Sequence, residues 1–276
     1  MSKSGEFSPA LSDAYEDRGY YCEYMGGAAH YRSKHLHPKF VMATRLAERN
    51  CSNIERVLDI GCGRGELVNY YCSHGIEVVG VEYSRTAYEI ATALLAKNPH
   101  GELATLLNVR DNCIPYPGGY FDVGFMLDVV EHLYSSQLDE YYSQLRRLLR
   151  PGGILVIHTW PNRLQREKMS RYEVVVRKML AVPYRVLFGH SIKRTLRDSC
   201  EELVHVNEHT PNQLLAHLAS HGFQARVFSS YFGGTMPDSL SDLLGEMVLN
   251  VGPLGLVPGL KEQFNRYIWA IATNPE

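Results

Sequence analysis

No two cysteines of the chain stand at CxxC spacing and none are clustered; the six lie apart, at positions 22, 51, 62, 72, 113 and 200. That scatter excludes a zinc ribbon and a disulfide framework, and makes a reducing cytoplasm the expected setting. Missing too is any apolar run of membrane-spanning length. The opening stretch MSKSGEFSPALSDAYEDRGYY lacks the apolar core of a secretory signal, so neither secretion nor membrane spanning is expected. Charge of one sign is not in excess either: a formal net charge of −2 gives no global electrostatic pull towards nucleic acid. There is no internal repeat and no low-complexity tract. What remains is a chain of 276 residues, 45% hydrophobic and 21% charged, an ordinary globular composition with length for one large domain carrying insertions.

Residues 1–37, rich in Tyr, Gly and His, show no period and read as an N-terminal arm or lid, with Tyr20, Tyr21 and Tyr24 placed to fold over a site. From Pro38 the spacing of Phe40, Ala43 and Ala47 predicts a helix. Five short apolar runs follow, RVLDI (56–60), EVVGVE (77–82), ATLLNV (104–109), FDVGFML (121–127) and GILVIHT (153–159). Helix-like segments alternate with them, one carrying Leu138, Tyr141, Tyr142, Leu145, Leu148 and Leu149 on a single face. Short buried strands alternating with amphipathic helices predict a Rossmann-like, doubly wound α/β sheet of seven mostly parallel strands over 38–276. The rhythm breaks at 163–204 and 233–264, which read as helical insertions over the crevice; a helix from Pro211 and strands at ARVFSSYF and RYIWAIAT restore it. The first insertion has a basic face, Arg163, Arg166, Lys168, Arg171, Arg177 and Lys178, suited to an anionic substrate, an RNA end or a peripheral membrane contact.

VLDIGCGRGELV (57–68) sets Gly61, Gly63 and Gly65 between a strand and a helix, where glycine lets the backbone turn tightly and approach a ligand. Nicotinamide and flavin proteins use similar turns. Two details discriminate: the spacing is GxGxG, and Asp59 stands on the strand just before it. A carboxylate there repels a pyrophosphate but suits a cationic ligand bearing ammonium and sulfonium groups. The next strand ends in Glu82, at the separation of an acid that accepts ribose hydroxyls.

On VLDIGCGRG, VEYS, RDNCIPYPGGYFDVGFMLDVVEHL and LLRPGGILVIHTWPNR, the chain resembles the class I S-adenosylmethionine-dependent methyltransferases across residues 40–160 and 205–230. The resemblance implies that Asp59, Gly61 and Gly63, with Cys62 in the turn, surround the methionine part of the cofactor. It places Glu82 and Tyr83 at the ribose, Asp111 and Asn112 at the adenine, and Leu127 or Asp128 on the sulfonium side.

Methyl transfer to a hydroxyl needs alignment and a base, and histidine titrates in the right range. His132 in DVVEHL, His158 at the end of the fifth strand, and His205 and His209 in LVHVNEHTP are the candidates. DVVEHL is similar to a segment of ubiquinone-pathway O-methyltransferases. Together with HVNEHT it is also similar to small-RNA 2′-O-methyltransferases, which bind a metal; both groups usually carry Glu where this chain has Asp128. Three readings stay open at this cluster: a divalent metal held by Asp128, Glu131, His132 and His205, a lone histidine base, or a helix cap. The leading expectation is O-methylation of a small-molecule, sugar or lipid-linked acceptor. A metal-assisted RNA 2′-O-methyltransferase and a non-catalytic binding protein of the same fold are the alternatives.

Overall fold

The computed structural model of the chain describes residues 21, 36–109, 113–189, 205–230, 260 and 264–275. Most of the N-terminal arm and of the 233–264 segment, with Tyr20 and Tyr24, lies outside them. Helix α1 (Pro38–Asn50) starts on a proline, and the His37 ring accepts the Lys39 N–H at 3.1 Å. Then follow β1 (Arg56–Ile60), α2 (Glu66–Ser73), β2 (Glu77–Glu82), α3 (Arg85–Leu95), β3 (Ala104–Asn108) and β4 (Phe121–Leu127). After β4 come a 3-10 turn (Val130–His132), α4 (Ser135–Leu148), β5 (Leu149–Thr159), α5 (Arg163–Phe188), α6 (Pro211–Ser220), β6 (Gln224–Ser230) and β7 (Tyr267–Thr273).

The seven strands form one sheet in the order β3-β2-β1-β4-β5-β7-β6, parallel except for β7, which runs antiparallel to both neighbours. All seven residues of β4 are buried, as a strand covered on both faces requires. One face packs Leu58, Ile60, Val81, Met126 and Ile157 against Leu138, Tyr142 and Leu145 of α4 and Leu214 and Leu218 of α6. The other packs Val57, Val78, Phe125, Val156 and Trp269 against Ala43, Leu46 and Ala47 of α1 and Leu67, Val68 and Tyr71 of α2. Each Val, Leu, Ile, Phe or Met among them, withdrawn from water, stabilises the fold by about 1.5–3 kcal/mol before entropy is counted.

The fifth strand starts earlier than its apolar run: pairing begins at Leu149, and a register shift between Phe121 and Val123 takes up Pro151-Gly152-Gly153. Leu149 therefore opens the strand rather than closing the helix. Within the first predicted insertion the described part is α5, capped by the Asn162 carboxamide, which accepts the Leu164 N–H at 3.1 Å, and ended by Gly189 in the left-handed region. No helix among the described residues is long and apolar enough to cross a membrane.

Candidate active site at the carboxyl edge of the sheet

The ends of β2, β1, β4 and β5 lie side by side, because Ile60 pairs with Val81 on one flank and Met126 on the other, and Leu127 pairs with His158. Between β1 and β4 the strand order reverses, which opens a crevice beyond the ends of these strands.

The β1–α2 turn occupies that crevice. Gly61 and Cys62 both donate their N–H to the Val81 carbonyl, at 2.8 and 3.1 Å, and Gly61, Gly63 and Gly65 have φ of 70°, 53° and 76°. A Cβ on Gly61 would stand 2.5 Å from Val129 Cγ2, and one on Gly65 2.8 Å from Ala91 Cβ, so sterics as well as φ require glycine. Cys62 is buried beneath the turn; burial, Glu82 and Asp59 push its thiol up, and it remains neutral packing.

Asp59 is 3% exposed, and its pKa is raised to about 8 by burial first and then by Glu82, with Lys39 acting the other way. Glu82 is buried as well, its Oε2 accepting the Gly63 N–H and its Oε1 the Ser84 N–H, both at 2.8 Å. The turn is thus clasped by the acid at the next strand end. Tyr83 follows half-buried, its carbonyl accepting from the Asn108 side chain at 3.0 Å. Asp111 and Asn112 lie outside the described residues. Two buried carboxylates, one holding a proton because burial and its acidic neighbour disfavour its charge, fit a cationic ligand and disfavour a phosphate. The residues present therefore fit S-adenosylmethionine.

Leu127 ends β4 buried, and Asp128 leaves it with φ 59°, the one non-glycine in the left-handed region among the described residues. Its N–H donates to the His158 carbonyl at 2.9 Å, and its carboxylate takes both the Lys39 ammonium and His158 Nδ1. Burial alone would raise this carboxyl's pKa, yet the Lys39 and His158 charges and hydrogen bonds hold it well below the usual range. Asp128 is consequently taken up by Lys39 and His158 and stands outside the group that could hold a metal.

That group is Glu131, His132 and His205, whose ligand atoms lie within 4.8 Å of one another. The imidazoles of His132 and His205 meet at 4.8 Å between centroids, at 67°. The chain brings them together because the Glu131 carbonyl accepts the N–H groups of Val206 and Asn207, at 2.9 and 3.1 Å. Glu131 itself is buried; its Oε2 accepts the Thr159 hydroxyl at 2.8 Å and its Oε1 the Trp160 N–H at 3.3 Å. Burial, then the Asp128 charge, raises its pKa to about 8.

The other two candidate histidines are placed differently. His158 is 2% exposed, its ring between Tyr267 (5.5 Å, 22°) and Trp269 (4.5 Å), and Nε2 has no hydrogen-bond partner among the described residues. It orients Asp128 rather than facing an open crevice. His209 is buried just before α6, with Nδ1 3.0 Å from the Asn207 carbonyl, and burial lowers its pKa to about 4. A neutral, enclosed His209 is a structural group.

From the sequence, Trp160-Pro161-Asn162 after the fifth strand is an expected wall of the pocket, but nothing local points to Lys39, 89 residues from Asp128, or to Tyr267 and Arg266 beside Trp160. There the Arg266 guanidinium lies 5.7 Å over the Trp160 ring, and Trp160 meets His205 edge-on at 5.4 Å. Of the three tyrosines assigned to a lid, Tyr21 is buried, its carbonyl accepting from Arg64 Nη1 at 2.9 Å.

Comparison with known proteins bears on what this geometry serves. Residues 58–157 match the family described as "Methyltransferase domain". A ubiquinone biosynthesis O-methyltransferase of Mesorhizobium japonicum is 33% identical over 104 residues, covering 38% of this chain and 40% of the relative. The chain thus matches less than half the length of that relative. Among solved structures, geranyl diphosphate methyltransferase in complex with GPP and sinefungin superposes with a TM-score of 0.55 at 16% identity, over 85% of this chain and 78% of that one. The [4+2]-cyclase SpnF superposes with a TM-score of 0.53 at 18% identity, over 86% and 80%. Likenesses at that identity establish the fold, and the second shows that the fold hosts other chemistry. It is the sequence match at the glycine turn and its strands that carries the likeness: residues 58–157 match a methyltransferase domain, and the chain is similar there to S-adenosylmethionine-dependent methyltransferases.

Proposed function

We propose that this chain transfers a methyl group from S-adenosylmethionine to a hydroxyl of a small-molecule, sugar or lipid-linked acceptor, with a histidine taking the hydroxyl proton. The observation that carries the proposal is the pair of buried carboxylates, Asp59 and Glu82, set around a left-handed glycine turn beside the His132–His205 pair. Asp59, Gly61 and Gly63 would hold the methionine part, Glu82 the ribose, and Leu127 and Asp128 the sulfonium side. The donor supplies an electrophilic methyl carbon on a sulfonium, and the sulfur leaves as a neutral thioether.

The chain's own work is then alignment and proton removal. Lys39 and His158 fix Asp128, and Asp128 fixes the backbone that leads to Glu131 and His132. His132 would accept the acceptor's hydroxyl proton, leaving the oxygen free to take the methyl group that the donor supplies. His205 and Trp160 shape the wall beside it. Support for an apolar or lipid-linked acceptor comes from α5, which exposes Val175, Met179, Val182 and Val186 along one stripe flanked by Lys178 and Arg185. Such a face suits peripheral contact with an anionic membrane surface. The free cysteines Cys51, Cys62, Cys72 and Cys113 support a reducing, cytoplasmic setting.

Calorimetry with S-adenosylmethionine tests the cofactor, and absence of binding would end the enzyme reading. Labelled methyl transfer to a panel of phenolic, sugar and polyprenyl hydroxyls tests the reaction. In that assay His132→Ala should lower kcat by about 10²–10⁴ while cofactor affinity holds. Unchanged kcat would remove His132 as the base. A second reading rests on the 4.8 Å grouping of Glu131, His132 and His205: a divalent ion there would activate the hydroxyl in place of a lone base. Loss of turnover on chelation, restored by added ion, together with a bound equivalent of ion that Glu131→Gln removes, favours that reading, whereas full turnover after rigorous chelation excludes it.

A further inference from the structure

A second cluster of histidines lies on the outer surface, between α4 and α6, where the methyltransferase chemistry makes no use of it. His217 and His221 stand four apart at the carboxyl end of α6, so their rings project from the same face. Both Nε2 atoms converge on Oδ1 of Asp139 from α4, at 2.6 Å for His217 and 3.4 Å for His221. The three ligand atoms lie within 4.8 Å of one another. Tyr142, one turn along α4 from Asp139, packs its ring edge-on against both imidazoles, at 5.1 and 5.5 Å.

The tautomer of His221 is informative. Its Nδ1 lies 3.0 Å from the His217 carbonyl, which can only accept, so Nδ1 carries a hydrogen and, in the neutral ring, Nε2 presents a lone pair. That lone pair faces a carboxylate oxygen, an arrangement that repels unless a proton or a metal ion lies between them. The backbone carbonyl that orients the ring is the partner a metal-bound histidine ordinarily has. The 3.4 Å separation also matches the edge of a tetrahedron with bonds of about 2.0–2.1 Å. His217 is closer to Asp139 than that edge, and the half-exposed Asp139 side chain has room to give the difference.

We propose that Asp139, His217 and His221 form a site for a zinc-like divalent transition metal, distinct from the Glu131, His132 and His205 group. Two imidazole nitrogens and one carboxylate oxygen are the donor set of such an ion, with water completing the shell. Bound there, it ties α6 to α4. The amino end of α6 continues from the 205–210 segment that carries His205 to His132, and His209 of that segment stacks on His217 at 5.9 Å. The ion therefore braces the wall of the active site from outside.

The test is titration of the chelator-stripped full chain with Zn²⁺ by calorimetry and with Co²⁺ by visible absorption. It compares wild type, His217→Gln/His221→Gln, Asp139→Asn and His132→Gln/His205→Gln. Wild type should bind an equivalent that the His217/His221 variant loses or binds at least about 100-fold more weakly, with its thermal upshift gone. The His132/His205 variant should keep that equivalent. Should the double variant fail to fold, Asp139→Asn, at a half-exposed residue, gives the same comparison. Equal stoichiometry and affinity in a folded His217/His221 or Asp139 variant would overturn the site, as would a wild type that binds neither ion. In that case the cluster is a proton-bridged ion pair.

Discussion

Asp128 adopts a left-handed backbone that few non-glycine residues tolerate, and three partners hold it there: Lys39, the His158 ring and the His158 carbonyl. Asp128→Asn keeps the shape and removes the charge opposite Lys39. It should cost about 1–2 kcal/mol after allowance for partial exposure, read by denaturant unfolding. Because the folded carboxyl titrates below the unfolded one, this contribution is complete above about pH 5 and is lost as pH falls through the depressed value. An Asp128→Asn variant as acid-sensitive as wild type would contradict the assignment. Glu82 makes a second prediction at this scale. Its removal leaves the buried N–H groups of Gly63 and Ser84 without this acceptor, so Glu82→Ala should cost about 1–3 kcal/mol and weaken S-adenosylmethionine binding at least tenfold. Unchanged affinity would take the ribose away from Glu82.

At the scale of elements, the turn between β1 and α2 works because two glycines allow close approach: Gly61 to Val129 and Gly65 to Ala91 of α3. Gly65→Ala combines positive φ with a 2.8 Å contact between helices, and should destabilise by about 2–3 kcal/mol while opening the turn that binds cofactor. Chemical denaturation together with calorimetry reads both effects. Helix α5 behaves in the opposite way. Met179 and Val182 are 71% and 72% exposed, so Met179→Glu/Val182→Glu should leave stability within about 0.5 kcal/mol. The same change should abolish co-sedimentation with vesicles containing anionic lipid; undiminished co-sedimentation would show that the stripe is not the membrane contact.

For the molecule as a whole, two carboxyls, Asp59 and Glu131, keep their protons to about pH 8 in the folded chain. Unfolded, such groups titrate near about pH 4, so the folded state binds more protons between those values. Their contribution is complete at the low end of that window and is lost as pH rises through about 8. The ligand-free protein should therefore show a Tm that falls between pH 6 and 8.5. A cationic cofactor beside Asp59 displaces its proton, so affinity should rise by up to roughly tenfold per pH unit below that pKa, with about one proton released. Calorimetry in buffers of different ionisation enthalpy measures the release. Affinity that is flat from pH 6 to 8 would mean that Asp59 does not face the cofactor's charge.

The sequence by itself determined the alternation of strands and helices, the glycine turn and the acids flanking it. Each is a local pattern: apolar runs of strand length, period-3.6 faces such as Leu138-Tyr142-Leu145, and glycines between a strand and a helix. It also picked out DVVEHL and HVNEHT as polar groups at strand and helix ends, but left open whether they meet. Only the tertiary structure decided that. It set His205 against His132 through two backbone hydrogen bonds to Glu131, gave Asp128 to Lys39 and His158, and enclosed His158 and His209. These outcomes depend on which strand ends lie side by side and which distant segment packs across them. Local periodicity has no term for partners 89 residues apart, whereas a charge or an imidazole takes its role from whatever the fold brings within a few ångströms of it.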